Sequence, residues 1–171
     1  LMGSKLEVKS KLGKGSTFSF VIDFKTEKGE CENAITTYES IHKVLIVDDN
    51  SNNRTILKEM LQVNNINFTA ASNGVEALEI LEQKNNFDLL IIDFNMPYLN
   101  GIEVVEHIRN SFKIGSDQLP IMLLHSSVDD EYINKACKEL QVQFNITKPI
   151  LYHQLYNVIN RIEKPNKDER Q

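Results

Sequence analysis

Val44-Leu45-Ile46-Val47-Asp48-Asp49-Asn50 is the stretch that decides the fold: four aliphatic residues without polar alternation, then two carboxylates and an amide. The pattern returns downstream as Leu89-Leu90-Ile91-Ile92-Asp93 and as Ile121-Met122-Leu123-Leu124. Short, solid aliphatic runs are what strands buried on both faces of a parallel sheet require. Ile66-Asn67-Phe68-Thr69-Ala70-Ala71 and Val142-Gln143-Phe144-Asn145-Ile146 alternate instead, which places them nearer the sheet edges. Between the runs lie stretches with i, i+3, i+4 apolar spacing: Ile56, Leu57, Met60, Leu61; Val75, Leu78, Leu81; Ile102, Val105, Ile108; and Leu151, Leu155, Val158, Ile162. Ser51, Asn73 and Asn100 stand where helix caps are expected. Five β-α repeats in about 120 residues predict an α/β fold, a five-stranded parallel sheet with helices on both faces.

Composition agrees. The chain has 171 residues, 41% apolar and 25% charged, which excludes a collagen, a disordered tail and a disulfide scaffold. A formal charge of -5 with no Lys/Arg cluster argues against direct nucleic-acid binding and favours a cation or a protein as partner. Cys31 and Cys137 match no metal or redox spacing, so they read as inert thiols in a reducing, cytoplasmic setting. The aliphatic runs fall far short of the roughly 20 residues that span a bilayer, so no membrane contact is expected of this segment. Ahead of the repeats, Lys5 to Ser10 and Thr17 to Ile22 alternate around Gly13-Lys14-Gly15, the pattern of a β-hairpin. A lone hairpin is marginal in water, so residues 1–24 read as the remnant of another domain and residues 25–41 as a polar linker.

In an open parallel sheet, ligands bind beyond the carboxyl ends of the strands, where the connection order reverses. Asp48 and Asp49 follow the first run and Asp93 ends the third strand, so three carboxylates should converge on one edge. Any single Asp after a strand can simply cap the next helix. Three together repel, and need a raised pKa, a cation or both. Lys148, expected at the end of the fifth strand, supplies one positive charge. An all-oxygen site of this kind suits Mg²⁺, which accepts one or two carboxylates plus phosphate oxygens, so the edge looks built for a phosphoryl group.

These residues resemble the receiver domains of two-component signalling, a flavodoxin-like family. The motifs are Val47-Asp48-Asp49-Asn50, then Asp93-Phe94-Asn95-Met96-Pro97 with Gly101, and Lys148-Pro149; the run from Asp48 to Leu61, with Asn53 and Arg54, is similar to receivers fused to hybrid histidine kinases. The resemblance implies a receiver over residues 42–163 and a tail at 164–171. Asp93 would take a phosphoryl group from phosphohistidine. Mg²⁺ would be held by the side chains of Asp49 and Asp93, the backbone carbonyl of Asn95 and, through water, Asp48. Lys148 would hold a phosphoryl oxygen, with a cis bond to Pro149. The partners implied are the phosphohistidine domain of a histidine kinase, a histidine phosphotransfer protein, or both. Gly13-Lys14-Gly15-Ser16-Thr17-Phe18 resembles the last glycine box of histidine-kinase ATPase domains, and Leu1-Met2-Gly3 the approach to it. The parent chain would then be a hybrid histidine kinase, while this segment lacks the parts needed to bind ATP or phosphorylate itself.

The chain departs from the family at two positions. The Thr or Ser usual at the end of the fourth strand is His125 here, followed by Ser126 and Ser127; either Ser126 or a ring nitrogen of His125 is the candidate hydrogen-bond donor to the phosphoryl group. The aromatic usual three residues before the lysine is Asn145, beside Phe144. These departures keep open a degenerate receiver that acts as a protein-interaction domain. A metal-dependent phosphatase with an aspartyl-phosphate intermediate is disfavoured, because Asn95 lacks the carboxyl such an enzyme uses as acid and base. His42, His107 and His153 belong to no motif, and Tyr132, Tyr152 and Tyr156 read as helix packing or partner surface.

Overall fold

The computed structural model describes residues 4–23, 41–84, 86–126 and 131–163. Most of the expected linker, the tail at 164–171, Leu1-Met2-Gly3, Cys31 and Ser127 lie outside them. The chain divides into two compact units, Leu1–Ala34 and Ile35–Gln171.

In the first unit, β1 (Glu7–Lys11) and β2 (Gly15–Ser19) form the antiparallel hairpin, with Val8 opposite Phe18. Gly13 and Gly15 take φ values of +75° and +91°, which a side chain would resist. Strand pairing stops at Ser19, short of the alternation that runs on to Ile22. All ten strand residues are exposed.

The second unit runs β3 (Lys43–Val47), α1 (Ser51–Gln62), β4 (Asn67–Ala71), α2 (Gly74–Gln83), β5 (Leu89–Asp93), α3 (Gly101–Glu106, continued by a π-helical turn to Ser111), β6 (Ile121–His125), α4 (Glu131–Glu139), β7 (Phe144–Thr147) and α5 (Tyr152–Glu163). The five strands are parallel, in the order β4-β3-β5-β6-β7, so the two alternating segments are indeed the edges. Chain order reverses beside β3, between β4 and β5, and that sets the ligand-binding edge at the ends of β3 and β5.

Strand residues alternate between two cores. Leu45, Val47, Leu90, Ile92 and Leu123 pack against α2, α3 and α4, whereas Val44, Ile46, Leu89, Ile91 and Leu124 pack against α1 and α5. Burial on both faces explains the solid runs. Asn73 and Asn100 cap α2 and α3, the latter in a reciprocal capping box with Glu103. The cap of α1 corrects the sequence reading: Asn50, not Ser51, accepts from the Asn52 amide at 2.9 Å, and Ser51 is already helical. Helix α4, whose stripe is Ile133, Ala136 and Cys137, was absent from the amphipathic stretches read from the sequence. The last strand starts at Phe144 rather than Val142, because Gln141 takes φ +52° and the Val142 amide turns back to Cys137 O at 2.8 Å.

Candidate functional site

Asp48 directly follows β3 and is fully buried, and its carboxylate is crowded with donors. The Asn50 amide reaches Oδ1 at 2.8 Å, Asn53 Nδ2 reaches Oδ2 at 3.0 Å, and Lys148 Nζ reaches Oδ2 at 2.9 Å. Asp93 ends β5, 4% exposed, with Lys148 Nζ at 2.9 Å from Oδ2 and no partner on Oδ1. Asp49 is exposed, and one oxygen from each of Asp48, Asp49 and Asp93 lies within 4.8 Å of the others. Residues separated by up to 100 positions thus meet at one end of the sheet.

The backbone is held to this arrangement. Arg54 Nη1 donates to the carbonyls of Asp48 at 2.7 Å and Asp49 at 3.0 Å, which fixes the turn carrying the two acids. The Lys148 amide donates to His125 O at 2.7 Å, and the Phe94 amide to Leu124 O at 2.7 Å. The Lys148-Pro149 bond is cis. A Cβ on Gly101 would stand 2.4 Å from the backbone oxygen of Asp93, so only glycine lets α3 start so close to that residue.

Burial pushes the Asp93 carboxyl above the usual aspartate range, helped by the Asp48 charge and opposed by Lys148. For Lys148, burial works against the charged form, but hydrogen bonds and charge from Asp93 and Asp48 outweigh it and raise its pKa. The site therefore holds an excess of negative charge that one lysine does not neutralise. The chemistry of the donor set, all oxygen with one open carboxylate atom on Asp93, fits a hard divalent cation.

A cavity of about 280 Å³ opens beside the carboxylates, lined by Asp48, Asn53, Ile56, Ser126, Lys148 and Pro149 among others. Of the two candidates after Leu124, Ser126 is exposed and lines this cavity. His125 is 4% exposed, the last residue of β6, with Nδ1 buried and unpartnered. Asn95 is exposed in the loop after Asp93. Asn145 donates to Asn134 Oδ1 on α4 at 3.1 Å, while its own Oδ1 is buried without a partner. Tyr132 meets Phe94 edge-on at 6.4 Å; Tyr156 hydroxyl donates to Met60 O, and its ring packs 4.2 Å from Tyr152. His42, His107 and His153 are exposed. Sequence reasoning gave no role to Asn53 or Arg54. Their spacing of five and six residues from Asp48, on the first turn of α1, is the signal that points them back at the acid pair.

Residues 44–160 match the family model described as response regulator receiver domain. The chain is 31% identical over 169 residues to the autoinducer 2 sensor kinase/phosphatase LuxQ of Vibrio vulnificus, covering 92% of this chain and 18% of that protein. It is 32% identical over 126 residues to the sensor protein EvgS of Escherichia coli, covering 70% of this chain and 10% of that one. The chain thus spans less than a fifth of these two relatives. Among solved structures, the chemotaxis protein CheY4 of Vibrio cholerae superposes with a TM-score of 0.63 at 27% identity, covering 71% of this chain and 98% of that one. No helix among the described residues is long and apolar enough to cross a membrane.

Proposed function

We propose, for a chain that belongs to the response regulator receiver domain family of two-component signalling, that Asp93 accepts a phosphoryl group from a phosphohistidine. The observation that carries the reading is Asp93 itself, recessed, paired with Lys148 through one oxygen and open at the other. In the reaction, Asp93 Oδ1 attacks phosphorus and forms the acyl-phosphate bond. The nitrogen–phosphorus bond of the donor breaks, and its electron pair returns to the imidazole. An ionised carboxylate is already a nucleophile, so no general base takes part. Lys148 holds a phosphoryl oxygen and stabilises charge as it shifts in the transition state. Ser126, from the cavity wall, donates a hydrogen bond to another. Asp48, Asp49, Asp93 and the carbonyl of Asn95 would hold Mg²⁺. Bound there, the ion supplies charge neutralisation on the phosphoryl oxygens.

The donor is a histidine kinase or a histidine phosphotransfer protein, in the cytoplasm. Similarity to LuxQ extends over 92% of the chain, well beyond residues 44–160, and supports reading the hairpin as the end of a kinase ATPase domain in a hybrid parent. Incubation with acetyl phosphate and Mg²⁺ tests the central reading by intact mass: the unaltered chain gains one phosphoryl group and Asp93→Asn gains none. A gain that persists in Asp93→Asn rejects the assignment.

A further inference from the structure

Tyr98 is 99% exposed, in the loop between β5 and α3, five residues after Asp93. Its φ is +68°, the left-handed region that glycine and asparagine occupy readily and a bulky side chain does not. Folding gains nothing from an aromatic there. The ring is in none of the aromatic contacts among the described residues, which involve Phe94, Tyr132, Tyr152 and Tyr156.

The loop around it is nevertheless well tied. Met96 is 8% exposed, Leu99 packs on the core below α3, the Leu99 amide donates to Pro97 O at 2.9 Å, and the Gly101 amide donates to Phe94 O at 3.0 Å. Gly101 also abuts the backbone oxygen of Asp93. Both ends of the loop are therefore pinned to the acceptor residue, and the segment holds Tyr98 outward at small entropic cost on contact. On the other side of the sheet, Ile56 of α1 is 47% exposed and lines the cavity that contains Asp48 and Lys148.

Asp93 is only 4% exposed, so a protein-borne imidazole must descend to bonding distance and bring the surface around it against the surrounding loops. A small phosphoryl donor makes no such contact. Taken with the receiver reading of Asp93, on which the inference rests, we propose that Tyr98 is a specificity-determining contact for the surface around the phosphohistidine of a donor protein. Rigid exposed aromatics are the side chains that most often anchor such interfaces.

The test uses the full chain, Tyr98→Asn, Tyr98→Phe and two donors. One donor is acetyl phosphate with Mg²⁺; the other is a phosphohistidine-loaded phosphotransfer domain selected because it phosphorylates the unaltered chain. Tyr98→Asn, which suits the left-handed backbone, should melt higher than the unaltered chain and keep its rate with acetyl phosphate within about twofold. Its transfer rate from the protein donor should fall about tenfold. Tyr98→Phe should keep most of the protein-donor rate. An unchanged protein-donor rate in Tyr98→Asn overturns the inference, as does an equal loss with both donors, which would assign Tyr98 to loop geometry. Failure of the unaltered chain to react with acetyl phosphate would instead strike at the receiver reading.

Discussion

The two ends of the five-stranded sheet handle polar atoms in opposite ways. At the amino ends of the strands, the chain itself closes Asp88, Gln143 and Arg109. Asp88 Oδ2 accepts the amides of His42 and Lys43, both at 2.8 Å. Gln143 accepts the Ile121 amide at 3.0 Å and donates to Ser116 O at 2.7 Å. Arg109, on the π-helical turn, donates to the carbonyls of Leu140, Ile114, Gly115 and Leu119. At the carboxyl ends, three acids crowd together, and Asp93 Oδ1 and His125 Nδ1 are buried without partners. A third such atom, Asn145 Oδ1, lies within β7; buried polar atoms left open destabilise a fold, so the pair beside the acids marks where an outside group completes the structure.

The comparison breaks most visibly at Arg109. Replacing it with Met removes the donor from four carbonyls in two connecting segments, and we expect a loss of about 3 kcal/mol in denaturant unfolding. A loss below about 1 kcal/mol would mean that water satisfies those carbonyls equally well. The opposite sign is expected at the other end. Asp93→Asn removes a buried charge that crowds Asp48, leaves Lys148 paired with Asp48, and should stabilise the chain by about 1 kcal/mol in the absence of divalent metal. Added Mg²⁺ should then raise the melting temperature of the unaltered chain more than that of the variant. Stabilisation of both to the same degree would count against a metal held by Asp93.

The smallest effect concerns Glu76, a carboxylate near the functional edge that the chain does close. The Ser72 amide and hydroxyl both donate to its Oε2 at 2.7 Å, and the backbone bond is the larger reason its pKa falls below the usual glutamate value. A depressed folded pKa stabilises the fold above the ordinary glutamate range, and the gain disappears as pH falls through the lower folded value. Glu76→Gln should cost about 0.5 kcal/mol at neutral pH, with the difference vanishing in acid. A difference that persists unchanged in acid would remove charge from the explanation.

This contrast also separates what the sequence makes legible from what it hides. Strands β3, β5 and β6 are solid aliphatic runs because both faces are buried, and Asp48, Asp49, Asp93 and Lys148 are recognisable because they stand at the carboxyl ends of strands. Alternation marked β4 and β7 as edges for the same reason. The amino-end brackets were invisible: Arg109 and Leu140 are 31 residues apart, and Gln143 and Ile121 are 22 apart, with nothing in either side chain to name a backbone partner in advance. Helix α4 escaped because its buried stripe includes Ala136 and Cys137, whose small side chains give a weak apolar rhythm. The Asn50 cap was missed by one position because Asn50 and Ser51 are both good capping residues, and hydrogen-bond geometry alone separates them.

The edge-on contact between Phe94 and Tyr132 has a practical corollary. Phe94 is the residue after Asp93, Tyr132 is the second residue of α4, and the chain contains no tryptophan. An indole introduced by Tyr132→Trp would be the sole long-wavelength fluorophore in the protein, placed where its emission senses the neighbourhood of Asp93 and gives an optical read-out of site occupancy in real time.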